Sequence, residues 1–178
     1  MKDFSLKFLD IMVAVVLGLG FQWWPALHEP WQFAAFVFVY FDIVDYWIDY
    51  GPSLKKWPPK REIDVLLDVG IMFALFLYVY TTQTSIVYFL SSFILLRVVD
   101  SFWLLRCKHE YRPKSGDALF LNAWLRLGTI EIFGSAVLIA LALLVPSFTA
   151  LLAMGTFIVF RVAMRILASF MYKKVHFA

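Results

Sequence analysis

The sequence predicts an all-α integral membrane protein in which six transmembrane helices form three helical hairpins. Hydrophobic residues make up 62% of its 178 residues and charged residues only 16%, whereas soluble domains are nearer half apolar and a quarter charged. Mean hydropathy is +0.78. Six apolar stretches follow one another along the chain, most of them about 20 residues long, which is the length that a helix needs to cross the hydrocarbon core.

The six stretches define one membrane domain over residues 1–178, with hairpins at about 8–50, 63–105 and 121–172. The predicted spans are 8–24, 31–50, 63–80, 85–105, 121–145 and 147–172.

Loop charge predicts the orientation of these spans. The connections 22–32, 81–85 and 146–147 carry no Lys or Arg, whereas 51–62 and 106–117 carry four basic residues each. Because basic loops stay in the cytoplasm, we expect a protein of the cell (inner) membrane with both termini cytoplasmic. Tryptophans are typical of membrane interfaces. The expected outer markers are Trp23, Trp24 and Trp31, and the expected inner markers are Trp47, Trp57, Trp103 and Trp124.

The sequence also argues against several classes of protein. The net charge of +3 comes from basic residues in short loops, which act as orientation signals rather than as a nucleic-acid surface. The single cysteine, Cys107, excludes an internal disulfide, and His28, His109 and His176 all lie outside the predicted spans. No glycine-rich phosphate loop is present. We therefore expect no enzyme activity, no cofactor, no metal site and no nucleic-acid partner.

Nine ionisable residues are expected to form one charged layer, one to three turns inside the cytoplasmic ends of their helices. They are Asp10, Asp42, Asp45, Asp68, Arg97, Asp100, Glu131, Arg161 and Arg165. A charge at the bilayer centre costs roughly 2.5–3.5 kcal/mol on insertion scales. These side chains should therefore face each other or water rather than lipid.

Helical spacing predicts some of the partners within this layer. Asp42, Asp45 and Asp49 recur at intervals of three and four residues, so they form one acidic stripe on the second helix. Arg97 and Asp100 are three residues apart and can pair within their own helix.

The remaining arginines need partners from other helices. Arg161 and Arg165 are four residues apart and repel each other on one face. By depth, the candidate partners are Glu131, Asp68 and Asp10. The nine residues comprise six acids and three arginines, so some carboxylates lack a basic partner and could bind protons or cations. The alternative is a buried salt-bridge network that only fixes helix register.

The three hairpins also resemble internal repeats. In their second helices Asp42, Arg97 and Arg161 align, and Asp45 aligns with Asp100. Such repeats are common in transporters and channels, so the pattern favours transport over a purely structural role.

The first helix resembles that of a known channel family. Residues 8–14, Phe-Leu-Asp-Ile-Met-Val-Ala, are similar to the Phe-Ser-Asp-x-x-x-Ala start of the first helix in the endolysosomal and prokaryotic potassium channels. Here Leu9 stands in the serine position, and Phe4 stands where that family has an arginine. The resemblance implies a homo-oligomer whose first helix lines a pore, with Asp10 at the cytoplasmic mouth and Leu17 in an apolar constriction.

Together these observations predict an oligomeric cation channel or a channel-like transport protein. Its expected partners are the lipid bilayer, further copies of itself and a monovalent cation. Two alternatives stay open from the sequence. One is a non-conducting scaffold or subunit held together by a buried salt-bridge layer, and the other is a proton-coupled carrier with a polar cavity inside one protomer.

Overall fold

The part of the chain that the structure describes is all α-helical, as the sequence predicts. The computed structural model describes the backbone of residues 2–173 and the side chains of residues 7–171. The α-helices of this range are α1 (Lys2–Gly20), α2 (Pro30–Lys56), α3 (Glu62–Tyr80), α4 (Ile86–Tyr111), α5 (Gly116–Leu144) and α6 (Ala150–Ala168). Short 3₁₀ turns, Phe21–Ala26 and Thr81–Gln83, follow α1 and α3, and a π-helical turn, Ser169–Lys173, follows α6.

Five helical segments among the described residues are long and apolar enough to cross a membrane. They are Lys7–Ala26, Glu62–Gln83, Ile86–Tyr111, Gly116–Leu144 and Ala150–Met171. Their outward side chains include Phe133, Leu144 and Val159, which are 68%, 78% and 70% exposed. Soluble proteins rarely expose large apolar patches, so hydrocarbon is the solvent that suits this surface.

The remaining helix, α2, has the length but not the composition of a simple span. It contains 27 residues, or about 40 Å at 1.5 Å per residue, and it carries Asp42, Asp45 and Asp49 in its central and later turns. Asp42 and Asp49 are buried against other helices. The acids that make α2 less apolar therefore face the inside of the protein.

Helix α4 lies at the centre of the bundle. It packs against α3 on one side and α5 on the other, while α1 packs on α2 and α3, and α6 packs on α5 and α2. Four fully buried rings, Tyr78, Phe89, Phe93 and Phe157, form what we call the aromatic wall. Phe157 meets Phe89 and Phe93 edge to face, at centroid distances of 5.6 and 5.0 Å. This wall fills the half of the bundle nearest the α3–α4 turn.

Helix α2 extends beyond its predicted end. The sequence predicted a loop from residue 51, but the helix runs to Lys56. The helix passes through Pro52, which has no N–H to donate to the preceding turn and so costs one helical hydrogen bond. Burial of the apolar residues that follow compensates for this loss. Leu54 and Trp57 are 1% and 4% exposed, and the Trp57 ring stacks on Phe120 of α5 at 5.9 Å.

The predicted loop at 106–117 is likewise mostly helical. Helix α4 continues to Tyr111, whose hydroxyl donates a hydrogen bond to the carbonyl of Pro58. Arg112 then adopts a left-handed conformation with φ of 44°, and Pro113 follows, which disfavours further helix. The next helix, α5, already begins at Gly116. Its second turn contains Phe120, which is 2% exposed, and burial of this ring stabilises the early start of the helix.

Three of the tryptophans predicted to mark the inner interface are packed inside the bundle. Trp57, Trp103 and Trp124 are 4%, 3% and 5% exposed. Trp103 packs on Tyr50 at 5.0 Å and on Trp124 at 6.3 Å between ring centroids. These indoles therefore contact other helices, and their position near the inner interface stays a prediction.

A close approach at Gly134 tests the packing of α5 on α6. A Cβ atom at this position would lie 2.5 Å from Cζ and 2.8 Å from Cε1 of Phe160. Gly134→Ala should therefore lower the free energy of unfolding by about 1–3 kcal/mol, the usual cost of overpacking. Thermal unfolding of the purified protein in detergent measures this. Gly155→Ala is the matched control, because a methyl group there meets nothing within 4 Å; equal losses in both variants would contradict the packing.

Candidate functional site

Two arginines and three carboxylates form a buried group, the central cluster, made up of Asp42, Arg97, Asp100, Glu131 and Arg161. Glu131 joins the two arginines. Its Oε2 lies 2.6 Å from Nε of Arg97, and its Oε1 accepts a hydrogen bond from Nη1 of Arg161. Each of the five residues is at most 8% exposed. The central cluster therefore holds α2, α4, α5 and α6 together.

Asp42 and an aromatic ring complete the surroundings of the guanidiniums. Asp42 accepts hydrogen bonds from Nη2 of Arg161 and, at 3.4 Å, from the Tyr78 hydroxyl. The Phe93 ring lies under both arginines, with its centroid 5.0 Å from Cζ of Arg161 and 5.3 Å from Cζ of Arg97. Because a ring face attracts cations, Phe93 stabilises both charges where the central cluster meets the aromatic wall.

Asp100 is held mainly by neutral groups. Its Oδ2 lies 3.4 Å from Nη1 of Arg97, which confirms the predicted pair within α4, but this contact is long. Shorter bonds come from the Tyr46 hydroxyl at 3.0 Å and the Trp124 indole N–H at 2.9 Å. Asp100 is therefore the least strongly compensated carboxylate of the central cluster.

The central cluster lies near the middle of its helices rather than near their ends. At 1.5 Å per residue, Asp42, Arg97 and Arg161 are about 17–18 Å from the starts of α2, α4 and α6. Glu131 is about 20 Å from the end of α5. Hydrocarbon is about 30 Å thick, so these distances match half of its thickness. Asp42 and Arg97 lie about four turns from the ends of α2 and α4, deeper than the predicted one to three turns, because these two helices continue beyond their predicted ends. Arg161 lies about two turns from the end of α6, within the predicted depth.

Charge does not balance within the central cluster. Three carboxylates, of Asp42, Asp100 and Glu131, face two guanidiniums, of Arg97 and Arg161. If all five groups are ionised, one negative charge remains in a buried site. Burying a net charge costs several kcal/mol, so a proton or another cation is the expected compensation.

A second ionic group lies beside the central cluster, between α2 and α6. Arg165 bonds Asp45 through Nε and lies 2.7 Å from Oδ2 of Asp49 through Nη2. This arrangement confirms that the acidic stripe of α2 faces one way. It also corrects the predicted partners: Arg161 does bind Glu131, but neither arginine binds Asp68 or Asp10. Those two acids lie on α3 and α1, whereas α6 packs on α5 and α2.

Asp68 stands apart from the arginines. It is 4% exposed, and its Oδ1 accepts a hydrogen bond of 2.6 Å from the Tyr50 hydroxyl. Its Oδ2 has no hydrogen-bond partner among the described residues. The Trp103 indole lies beside this carboxyl group but makes no hydrogen bond of normal geometry with it.

Asp10 and Leu17, both assigned to a pore by the channel resemblance, lie on α1. Asp10 is exposed and accepts a hydrogen bond of 3.0 Å from the Trp47 indole, so it does not join the charged core. Leu17 is half-buried and packs on the apolar core, and its carbonyl accepts a 2.6 Å hydrogen bond from the Tyr40 hydroxyl.

Sequence reasoning missed a third ionic group, which we call the loop-side group: Arg61, Asp64, Arg106 and Glu110. Arg106 Nη2 lies 3.0 Å from Asp64 and 2.6 Å from Glu110, and Arg61 lies 3.0 Å from Glu110. The backbone N–H groups of Lys60 and Arg61 also donate to Asp64. The spacing of four residues between Arg106 and Glu110 was visible in the sequence, but both had been placed in a loop.

The three groups and Asp68 give the protein an ionised interior that runs from the α2–α3 and α4–α5 connections to mid-depth. No arrangement of three or more His, Cys, Asp or Glu side chains that could hold a metal ion occurs among the described residues. Carboxyl and phenol groups remain, and their chemistry is proton exchange and the binding of small cations.

These features define a class, an all-α protein with helices long and apolar enough to cross a membrane and with a buried, acid-rich ionic core. Comparison with known proteins adds nothing to that description: no family model, no curated protein and no solved structure matches the chain. The channel resemblance of the first helix therefore stays a prediction.

The bridge at Glu131 has a measurable consequence for stability. Glu131→Ala removes the carboxylate that the guanidiniums of Arg97 and Arg161 share. Removing one partner of a buried ion pair costs about 3–5 kcal/mol of stability. We expect a loss of that size in thermal or denaturant unfolding. Glu62→Ala, which removes an exposed acid from the first turn of α3, is the control and should cost under about 1 kcal/mol. A loss at position 131 no larger than the control would contradict the bridge.

Proposed function

We propose that this protein is a transport protein for protons or another monovalent cation. The observation that carries the proposal is the charge of the central cluster, in which three buried carboxylates face two guanidiniums at mid-depth. A purely structural network would be expected to balance its charges, because an unpaired buried charge destabilises the fold. A surplus carboxylate at this depth instead provides a place for a cation that comes and goes.

The proposal includes six membrane spans in three hairpins, with α2 as the sixth. The ionised faces of α2 point at Arg161 and Arg165, which leaves Val37, Phe41 and Ile48, all exposed, to face lipid. The basic loops support the part of the proposal that puts both termini in the cytoplasm and the protein in the cell (inner) membrane. Internal repeats are also part of the proposal. They are supported by the aligned positions Asp42, Arg97 and Arg161, of which Asp42 and Arg161 bind each other directly.

Self-association is part of the proposal and rests on α1. The side of α1 turned away from the other helices presents Asp10 together with Ile11, Val15 and Leu19, which are 61%, 41% and 40% exposed. A carboxylate on an otherwise apolar surface is costly in lipid, and a neighbouring copy or a watery axis would relieve that cost. In the oligomeric-channel form of the proposal, this face of α1 lines the shared axis, whereas Leu17, on the other side of the helix from Val15 and Leu19, packs against the apolar core.

A carrier is the form that the interior of a single protomer favours. Ionised groups reach from the loop-side group to the central cluster, but beyond it the aromatic wall of Tyr78, Phe89, Phe93 and Phe157 closes the bundle. A cation bound at mid-depth could leave on the other side only after this wall opens. Such alternating exposure is characteristic of carriers.

The second candidate function is a non-conducting membrane module. One observation favours it: every carboxylate of the central cluster already contacts at least one guanidinium. On this hypothesis the charges fix helix register, and the surplus carboxyl group stays permanently protonated.

Ion flux separates the two candidates. The purified protein is reconstituted into liposomes, and proton, potassium and sodium movement are each followed under an imposed gradient. We expect flux of at least one cation above that of empty liposomes. Glu131→Gln, which keeps the shape of the side chain but removes its charge, should reduce this flux toward the empty-liposome rate.

The control for the flux measurement is Glu62→Gln, a neutralisation of the same type at an exposed position, which should transport as the wild type does. Absence of flux for all three cations, in protein shown to be folded, would refute the transport proposal and leave the module. Equal flux in wild type and Glu131→Gln would refute the role of the central cluster.

Orientation is tested by cysteine labelling with a membrane-impermeant maleimide on intact cells. The only cysteine, Cys107, is 4% exposed and should stay unlabelled. His28→Cys, in the exposed α1–α2 connection, should react in intact cells, whereas Lys114→Cys, in the α4–α5 connection, should react only after lysis. The reverse pattern would contradict cytoplasmic termini.

A further inference from the structure

We propose that Asp68 is the residue at which this protein takes up a proton from the side of the α2–α3 and α4–α5 connections. The inference deepens the proposed function and rests on it for its role in transport. Proton binding itself is a separate property, which a measurement without transport can test.

The surroundings of Asp68 suit a neutral carboxyl group that gains and loses a proton. Asp68 is 4% exposed and makes no ion pair among the described residues. The Tyr50 hydroxyl donates to Oδ1 at 2.6 Å, and Oδ2 has no hydrogen-bond partner in the part of the chain that the structure describes. A proton added to Oδ2 removes the charge without disturbing the bond from Tyr50. An isolated carboxylate in the same place would cost several kcal/mol.

Among the side chains that the structure describes, no cation forms an ion pair with this carboxyl group. Helix α2 contributes Tyr46 and Tyr50, α4 contributes Asp100, Arg106 and Cys107, and α3 itself contributes Asp64. Arg106 binds Asp64 and Glu110, so its charge is already compensated. On α1, the ionisable residues of the nearby turns are Lys7 and Asp10, which are both exposed, and Asp10 is bonded to Trp47.

A tyrosine pair connects Asp68 to the central cluster. Tyr50 donates to Asp68 at 2.6 Å and Tyr46 donates to Asp100 at 3.0 Å. The two phenol rings are stacked, with centroids 5.3 Å apart and planes inclined by 19°. The protonation of one carboxyl group is therefore felt by the other through two adjacent phenols. Asp68 lies about 9 Å from the start of α3, on the outward side of this connection.

A small cavity opens beside the loop-side group, and the Trp103 indole, which lies beside Asp68, forms part of its wall. The cavity is lined by Trp57, Pro58, Pro59, Asp64, Trp103, Arg106, Cys107, Glu110 and Tyr111 and has room for about one water molecule. Trp103 forms part of its wall and also packs on Tyr50. In this proposal the proton reaches Oδ2 from the side of this cavity, once the Trp103 indole turns aside.

Infrared difference spectroscopy of the full-length protein in lipid, titrated from acidic to alkaline pH, tests the proposal. We expect a protonated-carboxyl C=O band that loses amplitude reversibly as pH rises and that shifts in heavy water. Because a protonated carboxyl group of the central cluster would give a band of its own, Asp68→Asn should remove one part of the titrating amplitude, and Asp68→Glu should move that part. Asp117→Asn, a partly exposed aspartate paired with Lys56 at 2.6 Å, is the control and should leave it unchanged.

A titrating band of undiminished amplitude in Asp68→Asn, or absence of a titrating band in the wild type, would overturn the proposal. If Asp68→Asn does not fold, Asp68→Glu decides, because a band that does not move cannot belong to residue 68. A titrating band in protein that transports no cation supports the proton site and refutes the transport function. Flux without such a band refutes the proton site alone.

Discussion

The bridge that Glu131 makes between Arg97 and Arg161 is the interaction on which the rest of the structure depends. Neither guanidinium can be deprotonated in a protein, so each must find a counter-charge wherever the fold places it. One carboxylate on α5 serves both, and Asp42 on α2 completes the arrangement. The position of these two arginines therefore fixes how α2, α4, α5 and α6 meet, and the apolar faces left over define the outer surface.

Buried arginines also set the chemistry of the interior. They permit carboxylates at a depth where an isolated one would be costly, and once α4 and α6 supply two guanidiniums, α2, α4 and α5 together supply three acids. The excess of carboxylates over guanidiniums follows from which residues the helices contribute, not from any single contact. Asp68, which Tyr50 and Tyr46 connect to Asp100, adds a further carboxyl group to the interior. If carboxylates and guanidiniums were equal in number, a purely structural role would be enough to explain the ion pairs of the core.

Much of the fold could be predicted because the residues that determine it act locally. Apolar stretches of helical length and uncharged short turns predicted the order of the helices, and spacing predicted the Arg97–Asp100 pair and the acidic stripe of α2. Helix ends were predicted less well. Leu54 and Trp57 extend α2 past Pro52 only because α5 covers them, and that contact is not visible in the local sequence.

The sequence predicted which residues form the central cluster, but not which of them contact each other. All the members of the central cluster were among the expected residues, because charges within apolar spans are conspicuous. Their partners were less accessible: which carboxylate meets Arg165 depends on whether α6 packs beside α2 or α3, a long-range fact. The loop-side group was missed for the same reason that the helix ends were, since Arg106 and Glu110 had been assigned to a loop.

The central claim is that the buried core carries more carboxylates than guanidiniums and that its excess exchanges with protons. The most direct measurement is a potentiometric titration that counts the protons bound per protomer, comparing the wild type with a variant carrying Asp68→Asn and Asp100→Asn. The account predicts that the folded wild type binds up to about two more protons than the variant between alkaline and acidic pH. Titration curves that coincide over the whole range in which both proteins are folded would contradict it.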